Sequence, residues 1–212
     1  MESLKIRKKL ALRVIKALSR IYKNPKTKLK YKNVFQLLIA VILSAQTTDE
    51  RVNKVTDLLF KKYPNPQKLA KACREDVEKI IRPVGYYKQK AKYIINTSKK
   101  ILKVKKVPST MQELIKLDGV GRKTANIVLY FGYNKTEGVA VDTHCSRVSY
   151  RIGITTNRSS PLKIEKELMQ IIPKKYWGIY TNLMIAHGRK YCKARNPTCS
   201  ICPINKICKM RL

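Results

Sequence analysis

The sequence predicts an all-α protein, and three observations favour that fold class. Apolar residues recur every three or four positions through most of the chain, as they do on the buried face of a helix. Several of these stretches begin after a Ser, Thr, Asn or Asp and end near a Gly or Pro, which are common boundary signals of helices. No segment alternates between apolar and polar residues with the period of two that is typical of strands. We therefore expect helices joined by short turns, without a sheet or an internal repeat.

The first half of the chain begins with an amphipathic helix and continues into its most apolar segment. The apolar side of the opening helix needs a partner surface, and Asn24-Pro25-Lys26 ends the pattern. Asn33 precedes a run so apolar that we expect a helix buried on most sides. Thr47 and Glu50 have the spacing of a capping box and predict the start of the next helix. The predicted helices of this half span residues 4–22, 34–43, 48–63, 67–73, 75–81 and 87–102.

Boundary signals continue through the second half. Ser109 and Gln112 again have the spacing of a capping box. Asp142 falls at the N-cap position of a helix that ends at Gly153. Ser160-Pro161 combines a favoured N-cap residue with proline at the first helical position. The predicted helices of this half span residues 110–117, 122–132, 143–153, 161–172 and 176–190.

The charge balance indicates a polyanionic partner. The chain has 47 Lys and Arg residues against 13 Asp and Glu, a net charge of +34, which favours nucleic acid. The alternative is a plain enrichment of lysine on solvated faces, as on the helix over 87–102, where lysines that include Lys88, Lys90 and Lys92 surround an apolar stripe. The longest apolar run, Leu37 to Leu43, is too short to cross a bilayer, and the N-terminus has no signal or transit peptide pattern. We expect a soluble, cytoplasmic protein.

Four of the six cysteines lie close together in the tail. Cys192, Cys199, Cys202 and Cys208 have the spacing Cys-x6-Cys-x2-Cys-x5-Cys. In an intracellular chain such a set indicates metal ligation rather than disulfides. The spacing alone leaves both tetrahedral zinc and a 4Fe-4S cluster open. We expect His187 to be a packed helix residue, and we expect the remaining two cysteines, Cys73 and Cys145, to be small core residues.

The stretch from Leu117 to Ala125 reads Leu-Asp-Gly-Val-Gly-Arg-Lys-Thr-Ala, a turn with two glycines between two helical patterns. Gly119 and Gly121 permit backbone angles that other residues adopt only at a cost. The N–H groups at the start of the following helix suit a phosphate oxygen, and Arg122 adds a cation. A Gly-x-Gly between helices can equally be a plain tight connection. On glycines alone, both readings stay open.

Four segments together resemble one known family. They are the hairpin Leu117–Ala125, the segment Val139-Ala140-Val141-Asp142-Thr143-His144, the loop Leu43–Asp49 and the cysteine tail. In this order they resemble endonuclease III, a family of DNA glycosylases in the helix-hairpin-helix, Gly/Pro-Asp superfamily. The resemblance extends over nearly the whole chain.

The resemblance implies two helical domains with a DNA-binding cleft between them. Residues 28–135 would form a six-helix barrel that contains the helix-hairpin-helix. Residues 1–27 and 136–212 would form an iron-sulfur cluster domain built from both termini. The resemblance also implies that the four tail cysteines hold a structural 4Fe-4S cluster, which shapes the DNA-contacting loop 193–198.

The resemblance further implies a reaction and its residues. A bifunctional DNA glycosylase and abasic-site lyase of base excision repair removes an oxidised pyrimidine through a lysine Schiff base and then cleaves the strand by β-elimination. Lys123 would be the nucleophile and Asp142 the assisting carboxylate. Residues expected at the DNA are Gln46, Tyr86, Gly119, Gly121, Arg122, His144, Lys193 and Arg195. Tyr86 departs from the pattern, because the family commonly has a leucine at this inserting position.

Two other functions stay open at this stage. Adenine-removing relatives carry a glutamate near the Gln46 motif and usually lack the lysine, whereas this chain has Lys123 and no acid in Leu43-Ser44-Ala45. The lyase branch is therefore favoured over a monofunctional mismatch or alkylation glycosylase. A noncatalytic helix-hairpin-helix module that only holds DNA is the alternative from another class. We expect a monomer that binds double-stranded DNA with damaged pyrimidines or abasic sites.

Overall fold

The computed structural model describes residues 3–23 and 27–210, so the break predicted at Asn24-Pro25-Lys26 lies outside the described residues. Within those two ranges the chain forms α-helices, two short 3-10 turns and no strand, which confirms the all-α prediction. The chain divides into two compact units, one of residues 28–137 and one that combines the N-terminal segment with residues 138–210. None of the described helices has the length and apolar character that a bilayer span requires.

The helices lie close to their predicted positions. They are α1 (Leu4–Ile21), α2 (Val34–Leu43), α3 (Asp49–Lys62), α4 (Pro66–Ala70), α5 (Arg74–Ile81), α6 (Tyr87–Val104), α7 (Met111–Leu114), α8 (Arg122–Tyr133), α9 (Thr143–Ile152), α10 (Pro161–Ile171) and α11 (Trp177–Lys190).

Helix α2 is the centre of the unit formed by residues 28–137. The Asn33 side chain accepts a hydrogen bond from the Gln36 N–H at 3.0 Å and so caps the helix. Every residue from Phe35 to Leu43 is buried, and α2 packs against α3, α6 and α8. Burial of each Leu or Ile side chain contributes about 1.5–3 kcal/mol, so this helix supplies much of the driving force for folding.

Two predicted capping boxes are wrong by one residue. Thr48 rather than Thr47 caps α3, since its hydroxyl accepts a bond from the Arg51 N–H at 3.4 Å. The hydroxyl of Thr47 is already engaged, because it donates to the carbonyl of Ala45 at 3.3 Å and lies 3.1 Å from the Lys90 ammonium. A nearby hydroxyl of the same type therefore takes the cap.

The second wrong capping box precedes the glycine hairpin. Thr110 and Glu113, not Ser109 and Gln112, form the capping pair of α7, with 3.4 Å from the Glu113 N–H to the Thr110 hydroxyl. The Ser109 hydroxyl instead accepts from the ammonium of Lys135 at 3.4 Å. The helix also ends at Leu114, three residues before the predicted end at 117, and continues as turns into the hairpin.

The second unit gives the N-terminal helix its partner surface. The buried residues of α1 include Ala11, Val14 and Leu18, and the helix packs against α10 and α11. The Arg7 guanidinium bonds the Glu167 carboxylate of α10 and also donates to the Ile154 carbonyl at 3.4 Å. The N-terminal helix α1 therefore completes a core whose other helices come from the C-terminal part of the chain.

Candidate functional site

Contacts with the core and with α6 hold the glycine hairpin in place. Leu117 and Val120 are buried. The Thr97 hydroxyl donates to the Asp118 carbonyl at 3.0 Å, and the Lys100 ammonium lies 2.7 Å from the Asp118 carboxylate. These contacts fix the turn in place, so its outer side is a rigid surface.

The two hairpin glycines have different roles. Gly119 has φ +74°, and a Cβ added there would lie 2.7 Å from Cδ2 of Tyr93, so both the backbone angle and the packing require glycine. Gly121 has φ −93° and ψ 177°, which any residue adopts, and a Cβ there would meet nothing within 4 Å. The expectation that Gly121 is needed for its backbone angle is therefore wrong. Its lack of a side chain leaves open space above the start of α8.

Lys123 lies in the first turn of α8, directly after that open space. Gly121 is the N-cap residue and makes no side-chain cap bond, so the first N–H groups of the helix are not covered by a capping side chain. Arg122 and Lys123 are exposed, whereas Ala125 is fully buried and anchors the turn. The arrangement presents an amine and helix N–H groups on the same exposed turn, a combination suited to an anionic ligand.

Gln46 and Tyr86 form a second exposed feature of this unit. Both have left-handed backbones, with φ 53° at Gln46 and 57° at Tyr86. Gln46 is exposed, and Tyr86 has 71% of its surface accessible. Gly85 lies beside the first loop, because a Cβ added there would be 3.6 Å from the Gln46 carbonyl oxygen. The two loop tips are therefore neighbours.

Lys90 of α6 is buried beneath these loop tips, a feature that the sequence interpretation missed. Only 4% of its surface is accessible, and burial lowers the pKa of its ammonium. The ammonium donates to the carbonyls of Leu43 and Ala45 at 2.8 and 2.6 Å. Helical spacing contained the signal, because Lys90 lies four residues before Ile94 on the apolar stripe of its helix.

Asp142 lies in the other unit, at the start of α9, where the cap prediction is confirmed. One carboxylate oxygen accepts from the Cys145 N–H at 2.7 Å, and the side chain is half-buried. Cys145 is fully buried, and burial raises the pKa of its thiol to about 12. His144 packs toward α11, with Nδ1 3.1 Å from the Arg147 guanidinium. Asp142 is therefore a cap residue whose bonding partner, Cys145, is fixed in the core.

The four tail cysteines line one cavity. Cys192, Cys199, Cys202 and Cys208 are partly buried free thiols that line the same cavity. Among the described residues, no group of three or more His, Cys, Asp or Glu side chains could hold a metal ion. His187 is 1% exposed and lies 3.5 Å from the Cys202 sulfur, as expected for a packed residue, and burial lowers its pKa to about 4.

Cys73 corrects one expectation about the remaining cysteines. It was expected in the core, but it is exposed at the start of α5, with its sulfur 2.7 Å from a Glu75 carboxylate oxygen. Cys73 is the N-cap residue of α5, ahead of the turns that bury Val77 and Ile81. Cys73 therefore takes no part in the thiol-lined cavity.

The loop after Cys192 is held by two arginines of α9. Arg151 donates to the carbonyls of Lys193 and Ala194 at 2.7 and 3.0 Å. Arg147 donates to the Cys192 carbonyl at 3.0 Å. The side chains of Lys193 and Arg195 are exposed on this loop. Sequence interpretation missed the arginine contacts, since nothing in a basic chain distinguishes an arginine that binds main-chain carbonyls.

Comparison with known proteins first defines the class. The model of the HhH-GPD superfamily of base excision DNA repair proteins matches residues 39–174. A solved structure of a thermostable thymine-DNA glycosylase, only 19% identical, has a similar fold with a TM-score of 0.84.

More similar proteins then define the family. Endonuclease III of Synechocystis sp. is 42% identical over 204 residues, which cover 95% of this chain and 93% of the relative. Endonuclease III of Rickettsia felis is 46% identical over 88% of this chain and 87% of the relative. A solved structure of a trapped endonuclease III–DNA covalent intermediate has a TM-score of 0.90 and 40% identity, over 99% of this chain and 97% of that one. The chain therefore belongs to the endonuclease III family of the HhH-GPD superfamily.

Proposed function

We propose that this protein is a bifunctional DNA glycosylase and abasic-site lyase of base excision repair that acts on oxidised pyrimidines in double-stranded DNA. The observation that carries the proposal is Lys123, an exposed amine in the uncapped first turn of α8 next to a rigid glycine hairpin. Family membership supports the same activity. The absence of an acid in Leu43-Ser44-Ala45 favours the lyase branch over adenine removal.

DNA binding would rest on phosphate contacts at two places. The open space at Gly121 lets a phosphate oxygen approach the first N–H groups of α8, and Arg122 supplies a cation beside it. Lys193 and Arg195 would contact phosphates from the loop after Cys192. The net charge of +34 supports strong, salt-dependent attraction to the duplex.

Extrusion of the damaged nucleotide comes before chemistry, because C1′ of its sugar is not accessible inside a duplex. We assign Gln46 to the gap that the nucleotide leaves, where its amide can bond to the orphaned base. Tyr86 would insert next to it and stack on a neighbouring base. Their exposed, left-handed positions on adjacent loops support this assignment.

Lys123 would then act as the nucleophile. Its neutral amine attacks C1′, the N-glycosidic bond breaks, and the base leaves with a proton. A proton of the amine then passes to O4′ as the C1′–O4′ bond breaks, which opens the sugar and leaves an iminium between Lys123 and C1′. The iminium acidifies the C2′ proton, and removal of that proton breaks the C3′–O bond, so that the strand on the 3′ side leaves with its phosphate. Water finally hydrolyses the iminium. Asp142 would stabilise positive charge at C1′ and assist proton transfer while its other role, the cap of α9, orients the carboxylate.

The four tail cysteines would hold a 4Fe-4S cluster. Four thiols that line one cavity match the all-cysteine ligand set of such a cluster. Burial raises the pKa of the Cys202 and Cys208 thiols, so a positive centre is needed to keep them as thiolates. Such a cluster would supply structure here, because the four cysteines that would hold it lie on both sides of the loop that carries Lys193 and Arg195.

The remaining assignments concern the organisation of the protein. We propose that residues 28–135 act as the helical barrel that carries the hairpin, and that residues 1–27 and 136–212 act as the cluster domain. The division of the chain after residues 27 and 137 supports this assignment. We further propose that the protein acts as a monomer in the cytoplasm, where it finds DNA.

Borohydride trapping tests the proposed function. The wild-type protein should form a covalent adduct with an oligonucleotide that contains thymine glycol or an abasic site, because borohydride reduces the Schiff base to a stable amine. Lys123→Ala should form none. Lys54→Ala, which removes an exposed lysine of α3, is the matched control and should react like the wild type. DNA binding without an adduct would instead indicate a monofunctional glycosylase, which still releases the damaged base, or the noncatalytic module, which releases none.

A further inference from the structure

The two neighbouring loop tips adopt a backbone conformation that needs support. Gln46 and Tyr86 have φ 53° and 57°, in the left-handed region that residues with a Cβ rarely adopt. Such residues persist only where the surrounding structure fixes them, and each costs on the order of 1 kcal/mol. Something must therefore hold both loops.

One residue makes contacts with both loops. Lys90 lies in the first turn of α6, where its N–H makes the usual main-chain bond to the carbonyl of the N-cap residue Tyr86 at 3.0 Å. Its side chain therefore extends from the turn that Tyr86 begins. Its ammonium donates to the Leu43 and Ala45 carbonyls and lies 3.1 Å from the Thr47 hydroxyl. An ammonium has three donors, and these three acceptors can satisfy all of them. The Ala45 carbonyl and the Thr47 hydroxyl belong to the residues on either side of Gln46. The bonds from Lys90 therefore fix the backbone path of that loop.

The chemistry of this contact favours a positioning role over simple packing. The acceptors are two main-chain carbonyls and a hydroxyl, and the Leu43 carbonyl belongs to the C-terminal end of α2, where the helix dipole favours a cation. A buried charge is costly unless it is fully hydrogen-bonded, and an apolar residue would fill the same space at lower cost. A lysine here gains directional bonds to the loop, which an apolar side chain cannot provide.

We propose that Lys90 is a positioning residue that fixes the loop at Gln46 and the loop at Tyr86 relative to each other, so that both side chains enter the duplex as one preset unit. This inference rests on the proposed function, in which these two side chains fill the space left by an extruded nucleotide. Preset loops avoid the ordering cost that flexible loops incur on binding.

The test compares two substrates that differ in the need for insertion. One is a duplex with a single thymine glycol, and the other is a single-stranded oligonucleotide with an abasic site, which has neither a stack to open nor an orphaned base. Lys90→Met keeps the length of the side chain but removes its donors. Lys99→Met makes the same charge change on the exposed side of α6 and is the matched control.

Lys90→Met should lower the single-turnover rate on the duplex roughly ten- to hundredfold, as expected when inserting groups lose their alignment. Strand cleavage of the single-stranded abasic substrate should stay within about threefold of wild type, since Lys123 is untouched. The control should match the wild type on both substrates. Equal losses on the two substrates would mean a general structural role, and an unchanged duplex rate would mean no role; either result would overturn the inference.

A second variant covers the case in which Lys90→Met does not fold. Thr47→Val removes one acceptor and leaves the main-chain carbonyls in place, so it should show a smaller loss with the same preference for the duplex. Thermal unfolding of each variant reports whether the fold persists. Equal losses with Thr47→Val on both substrates, or none on the duplex, again count against the inference.

The same experiment separates failure of this inference from failure of the proposed function. A wild-type protein that neither excises thymine glycol nor cleaves the abasic strand would refute the proposed function itself. A wild type that does both, with a Lys90→Met variant that behaves identically, would refute only the role of Lys90.

Discussion

Replacement of Gly119 by alanine tests whether the hairpin is as rigid as its contacts indicate. A non-glycine residue in the left-handed region costs about 1–2 kcal/mol. The added Cβ would also lie 2.7 Å from Cδ2 and 3.0 Å from Cγ of Tyr93, atoms near the base of that side chain that cannot move aside freely. Overpacking of this kind costs about 1–3 kcal/mol. We expect Gly119→Ala to lose about 3 kcal/mol of unfolding free energy.

Thermal unfolding measures this loss directly. For a protein of this size about 3 kcal/mol corresponds to a decrease in Tm of roughly 6–12 °C. The two contributions separate in a Tyr93→Ala background, where the contacts with the ring are gone and Gly119→Ala should cost only about 1–2 kcal/mol. A Tm for Gly119→Ala within about 2 °C of wild type would refute the reasoning on both backbone angle and packing.

Gly121→Ser is the matched comparison at the other hairpin glycine. Serine is favoured at helix N-caps, and the site is open, so stability should change by less than about 0.5 kcal/mol. Its hydroxyl, however, would occupy the first-turn N–H groups and the space above them. Affinity for duplex DNA should fall about tenfold, the effect of one lost charge-assisted hydrogen bond. Unchanged affinity would mean that no phosphate binds there.

Three further predictions concern the cluster, an ion pair and the duplex. Purified protein should be brown and contain about four iron atoms per chain. Cys199→Ser should lose iron, whereas Cys73→Ser, which lies outside the cavity, should keep it. A colourless protein that contains stoichiometric zinc would contradict this prediction. Burial acts to raise the pKa of Glu167, but bonds from Thr156, Asn157 and Arg7 outweigh it and hold that pKa low, so Glu167→Gln should cost about 2 kcal/mol at neutral pH. That loss should vanish as pH falls through the folded-state pKa of the carboxyl, because both proteins are then uncharged there, and urea titrations across acid pH measure it. DNA affinity should fall with salt at a log-log slope of about −4.5, for about five neutralised phosphates, and a slope near zero would exclude phosphate contacts.

The order and extent of the helices could be predicted because they depend on local signals. The apolar run of α2 and the caps at Asn33, Asp142 and Ser160 are where the sequence places them. The caps of α3 and α7 are displaced by one residue because each has adjacent hydroxyl residues, and only tertiary partners decide which hydroxyl is available. The local sequence therefore cannot predict which of the two hydroxyl residues caps the helix.

The candidate site could be predicted only in part, for a similar reason. The thiol set is visible in the spacing of four cysteines, since a short tether keeps ligands together. By contrast, the burial of Lys90 depends on carbonyls more than forty residues away along the chain, at Leu43 and Ala45. The different roles of Gly119 and Gly121 depend on Tyr93, which packs against only the first of them. Such long-range contacts leave little trace in the sequence.

The most direct test of the proposed reaction identifies the residue that bonds to the sugar. Wild-type protein would be trapped with borohydride on an abasic oligonucleotide, digested with nuclease and protease, and mapped by mass spectrometry. Among the many lysines of this chain, the reduced sugar remnant should be found on Lys123 and nowhere else. A remnant on any other lysine, or none on Lys123, would contradict the assignment of the hairpin as the catalytic element.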